Sequence, residues 1–107
     1  MSKLTIFPGA CGMEVVVEVV PAGGNNYTVT VVSKCEMVKK LGENLGTLGM
    51  MDVFKRHLEN PVYVKGAACL KHAACPVPSG ILKALEVAAG LNVPRDVTMI
   101  FEKDPAD

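Results

Sequence analysis

A chain of 107 residues, half of them hydrophobic and none of them tryptophan, suffices for one core without disulfides or a bound metal, so one domain is expected over residues 1–107. The 11 basic and 11 acidic side chains cancel, which removes the basic footprint that nucleic acid demands and the self-repulsion that keeps small proteins apart. No segment approaches the ~20 apolar residues that cross a bilayer, and Met1 to Pro8 holds no signal-like apolar run. The expectation is a cytoplasmic protein that engages neither nucleic acid nor membrane, with room for a homodimer or a protein partner.

In chain order, Leu4 to Phe7 reads as a short strand ended by Pro8-Gly9. From Met13 to Val20 the chain alternates, with Met13, Val15, Val17 and Val19 on one face and Glu14, Val16, Glu18 and Val20 on the other. Turn chemistry fills Pro21 to Asn26, and the β-branched run from Tyr27 to Val31 returns as the second arm of a hairpin. Ser33-Lys34-Cys35-Glu36 has the form of a capping box, predicting a helix with Val38, Leu41 and Leu45 as its buried stripe. Gly42 interrupts that stripe at a cost of about 1 kcal/mol relative to alanine. Met50 to Leu58 suggests a second helix closed by Asn60-Pro61, and Val62-Tyr63-Val64 a brief edge strand. Ser79-Gly80 opens a third helix that Gly90 stops, and Asp96 to Lys103 alternates as a last strand. The expected fold is α+β, a two-layer structure with a mostly antiparallel sheet of about four strands and two to three helices packed on one face.

The residues that carry chemistry are the four cysteines, Cys11, Cys35, Cys69 and Cys75, with His72 between the last two. In a reducing cytosol thiols are metal ligands, redox groups or small core residues sooner than disulfides. Hairpin geometry returns the third strand to the end where Cys11 sits, so Cys11 and Cys35 should share one edge of the sheet. Cys35 falls at one helix start and Cys75 just before another, where unpaired amides favour thiolate, and the glycines around Cys11 let amides face an anion. Four soft ligands suit zinc or an iron–sulfur cluster equally, with His72 in place of Cys69 favouring zinc. Each cysteine alone is as well explained as a small packed hydrophobe, and no pair has Cys-x-x-Cys spacing. The expected metal site is Cys11, Cys35 and Cys75 with either Cys69 or His72. A metal-free thiol module, acting in redox chemistry or as a partner-binding adaptor, is the alternative. Catalysis ranks below binding, because no third group orients a Cys75–His72 pair. His57, in Lys55-Arg56-His57-Leu58, is expected to be solvated.

The string from His72 through Cys75-Pro76-Val77-Pro78 to Pro94, with Gly9-Ala10-Cys11-Gly12 and Cys35-Glu36, resembles a family of small uncharacterised proteins of anaerobic bacteria and methanogenic archaea. The resemblance implies marked positions at Cys11, Cys35, His72 and Cys75, and an anaerobic setting that favours an iron–sulfur centre over zinc. Cys69 departs from the family's pattern, in which a cysteine stands nearer the histidine. No reaction is implied.

Overall fold

The computed structural model describes residues 1–104; the sequence suggests a loose end from Asp104 to Asp107, of which residues 105–107 lie outside the described residues. Four strands form one antiparallel sheet in sequence order: β1 (Ser2–Ile6), β2 (Val15–Pro21), β3 (Asn26–Ser33) and β4 (Thr47–Gly49). Three α-helices accompany it, α1 (Glu36–Leu45), α2 (Pro61–Cys69) and α3 (Val77–Ala88), with a 3-10 turn over Met50–Phe54. The α+β expectation holds.

The period of two in β2 sorts its side chains as the sequence indicates: Val15, Val17 and Val19 are buried and Val16, Glu18 and Val20 half-buried. Together with Ile6 of β1, Tyr27 and Val29 of β3 and Leu48 of β4 they make the sheet's contribution to the core. Val38, Leu41 and Leu45 of α1, Val62 of α2 and Val77, Ile81 and Leu85 of α3 close over it. The β2–β3 turn needs two left-handed residues, which Gly23 (φ 97°) and Gly24 (φ 59°) supply.

Several local expectations are corrected. Ser33 Oγ accepts from the Cys35 amide at 3.1 Å instead of from Glu36, and Cys35 itself is the N-cap of α1, so no capping box forms. After α1 the chain crosses Gly46 and pairs Leu48 with Tyr27 as β4, a strand the sequence does not suggest. Met50–Phe54 is a 3-10 turn instead of an α-helix reaching Leu58. Val62-Tyr63-Val64 is not a strand but the first half of α2, because Asn60 is an N-cap and Pro61 occupies the first helical turn. Helix α3 starts at Val77 instead of Ser79, whose hydroxyl donates back to the Pro76 carbonyl at 3.0 Å. The last expected strand, Asp96 to Lys103, is absent: residues 91–104 carry no helix or strand and every one is exposed.

The far end of the molecule, where the β2–β3 turn meets β4, is tied by polar side chains. Asn60, 1% exposed, accepts from Val62 N at 3.0 Å and donates to the carbonyls of Asp52 at 2.7 Å and Lys55 at 3.3 Å. Asp52 accepts from the Gly49 amide at 2.7 Å and pairs with Lys55 Nζ at 2.8 Å. Partial burial pushes the Asp52 carboxyl up, but the Lys55 hydrogen bond, the Gly49 amide and the charges of Lys55 and Lys65 outweigh it, holding the group below its ordinary 3.8. A carboxyl whose folded pKa is depressed stabilises the fold above its unfolded value and loses that contribution as pH falls through the folded one. Stability should therefore fall on acidification below about pH 4, and Asp52→Asn should flatten that limb in urea titrations repeated at pH 3 and pH 6.

Candidate functional site

The β-ladder decides where two cysteines lie. Ile6 pairs with Val15 and Val15 with Ser33, so the β1–β2 connection carrying Cys11 and the β3–α1 junction carrying Cys35 leave the same end of the sheet. Helix α3 starts over that end as well: a Cβ on Gly80, in its first turn, would run into Ile6 Cδ1. Cys75, next to the Pro76 N-cap, therefore stands at the end shared by Cys11 and Cys35. Three connections that are distant in sequence thus each bring a cysteine to one end of the molecule.

Their surroundings differ. Cys11 is exposed, in a tight turn closed by Gly12 N donating to Gly9 O at 3.0 Å, with Gly9 and Gly12 both at positive φ. Cys35 and Cys75 are half-buried and pack against the hydrophobic core, and the Cys75 amide donates to His72 O at 3.1 Å, so residues 72–75 form one turn. His72 is exposed on that turn. Cys69 lies elsewhere: its sulfur accepts from the side-chain amide of Asn44 at 3.7 Å, in the last turn of α1. Cys35 caps the first turn of the same helix, nine positions back, which is about 13 Å along the axis at 1.5 Å per residue. All four cysteines are free thiols.

Among the described residues, no three of the Cys, His, Asp and Glu side chains form a group that could hold a metal ion. The shared end brings Cys11, Cys35, His72 and Cys75 to one region of the fold without closing them into a ligand cage. His57 is exposed, with its ring 5.0 Å from that of Tyr63. It lines a shallow depression with Lys55, Tyr63, Lys83 and Glu86, the residues that sequence reasoning left unconnected. The signal that could have found this surface was Asn60-Pro61 read as a helix start, which puts Tyr63 on a helix beside α3.

The fold and its free thiols define a small α+β domain with cysteines on the connections at one end of its sheet. A family model described as a family of unknown function, DUF6951, matches residues 2–101, and the chain belongs to that family. No curated protein and no solved structure matches it. Among the described residues no helix is long and apolar enough to cross a membrane.

Proposed function

We propose that the domain is a small cytoplasmic binding protein whose cysteine-bearing end takes a soft metal centre, an iron–sulfur cluster or zinc. Cys11, Cys35 and Cys75 are its thiolate ligands, and His72 is the better fourth ligand because Cys69 sits against Asn44 at the other end of α1. The observation that carries this reading is the β-ladder, Ile6 to Val15 to Ser33, with α3 starting above it. Binding requires the connections on either side, residues 7–14 and 70–76, to close around the ion; a glycine-rich turn and a single-turn loop are the segments most able to do so. Resemblance to proteins of anaerobes favours the cluster.

A second reading is favoured by the open arrangement of the sulfurs: a metal-free thiol module in which exposed Cys11 reacts or binds a partner. One experiment separates the two. The protein is purified without oxygen, and metal and acid-labile sulfide are measured per chain. The metal reading expects near-stoichiometric iron with sulfide, or zinc alone, falling at least several-fold in Cys35→Ser and in Cys75→Ser but little in Cys69→Ser. Absence of metal with four titratable thiols, and alkylation of Cys11 faster than a free thiol, selects the second reading.

A further inference from the structure

In the segment after α3, residues 97–102 have the alternation of a strand and take part in none of the ladders among the described residues. Val97, Met99 and Phe101 alternate with Thr98, Ile100 and Glu102, and Phe101 is 100% exposed, Ile100 85% and Met99 82%. Its exit from α3 is built: Leu91 N donates to Glu86 O at 2.9 Å and Gly90 N to Val87 O at 3.1 Å, a Schellman motif with Gly90 at φ 74°. Asn92 reinforces it, donating to Glu86 Oε2 at 3.1 Å while accepting from Val93 N at 2.8 Å. The molecule measures 54 × 28 × 25 Å, although its longest strand has eight residues and spans only about 27 Å. The tail therefore projects from the body.

Among the described residues the sheet leaves strand backbone unpaired along β1 and along β3 beyond Thr28, where α1 packs against the strand. Strand β1 is terminal in the order β1-β2-β3-β4 and has neighbours only on the β2 side. The opposite edge, β4, has three residues and its last amide is taken by Asp52. Strand β1 spans five residues, as does Val97–Phe101, and its alternation matches: Leu4 and Ile6 face the helices while Lys3 and Thr5 face solvent. Laid beside β1, the tail's Val97, Met99 and Phe101 extend the apolar layer of Leu4 and Ile6, and Thr98, Ile100 and Glu102 join the outer face that carries Lys3. Met1 and Phe7, 73% and 76% exposed, flank the same edge.

We infer that the tail of one chain pairs with the β1 edge of a second copy, reciprocally, giving a two-fold dimer with a strand exchanged in each direction. The chain's zero net charge opposes no such association. Three apolar side chains per tail, with an equal area of the accepting edge, bury on the order of 1,500 Å² in the reciprocal pair, within the range of a standard stable interface.

The test uses the full chain. Light scattering over a range of concentrations is expected to give twice the mass of one chain. Hydrogen exchange is expected to show the amides of residues 97–101 and those amides of Ser2–Ile6 that point away from β2 protected together. The double variant Met99→Asp/Phe101→Asp should run as a single chain with an unchanged far-UV spectrum and lose both protections. Val32→Asp, which alters an exposed valine on the outer face of the sheet, should remain a dimer. A wild-type protein of single-chain mass overturns the proposal, including the case in which residues 97–101 are protected because the tail has folded onto its own edge. A tail variant that still dimerises overturns it equally, as does loss of the dimer in Val32→Asp.

Discussion

Alanine at Gly42 is expected to destabilise the protein by about 1–3 kcal/mol, lowering Tm by roughly 4–8 °C for each kcal/mol in a domain of this size. The sign is informative, because intrinsic helix propensity alone predicts a gain of about 1 kcal/mol from the same change. What reverses it is the seating of α1 on β3. A Cβ on Gly42 would lie 2.8 Å from Val31 Cβ and 3.3 Å from its Cγ2. The Cβ of Val31 is fixed to the backbone of a strand paired with β2, so it cannot rotate out of the way. Either α1 lifts from the sheet, loosening Leu41 and Val38, or β3 bends. Gly80 makes a similar approach to Ile6, but there the obstacle includes the end of a flexible side chain, and alanine should cost less. Thermal unfolding of Gly42→Ala and Gly80→Ala side by side checks both the sign and the order.

Asn60→Ala should cost about 3 kcal/mol, read as a shift in the urea midpoint at constant slope. The asparagine satisfies three backbone groups at once: it caps α2 through Val62 N and holds the carbonyls of Asp52 and Lys55. Alanine leaves these groups without their partner in a site that admits almost no water. Asn60→Asp keeps the cap acceptor but turns a donor into a second carboxylate oxygen facing two carbonyls, so it should recover only part of the loss. A full recovery by aspartate would mean that the cap alone matters and that the two carbonyls find other partners.

The elements that were legible in the sequence are those whose pattern is written over many residues. The alternation of Val15, Val17 and Val19, the Gly23-Gly24 turn and the Val38–Leu41–Leu45 stripe each led to the observed strand, turn and helix. Short segments misled. Val62-Tyr63-Val64 is β-prone in composition, but Asn60 and Pro61 supply a cap and a first turn, and the helix they start overrides that preference. Strand β4, with three residues, is too short to show a period. Asp96–Lys103 has the strand pattern without a neighbouring strand, and backbone pairing requires a partner that no local pattern can provide.

The candidate site was legible to the same extent. Hairpin geometry alone put Cys11 and Cys35 at one end, and the ladder from Ile6 to Ser33 has them there. Cys69 was not readable, since its place depends on the angle at which α2 crosses α1, which is set by packing between Lys65, Cys69 and the last turn of α1. Whether sulfurs close into a cage is a matter of loop conformation at the scale of single bonds, below what spacing in sequence can resolve.

The sheet order has a consequence for the chain as it is made. Because each strand pairs with its neighbour in sequence, all four strands and α1 are complete once residue 49 has been synthesised, and none waits for a distant segment. Yet α3, which covers β1 and β2, is not finished until residue 88. Between the emergence of residue 49 from the ribosome and that of residue 88, a nascent chain can hold the meander with Val15, Val17 and Val19 not yet covered by α3. At about 5–20 residues per second that interval lasts a few seconds, long enough for a chaperone to find it and for a crowded polysome to suffer from it.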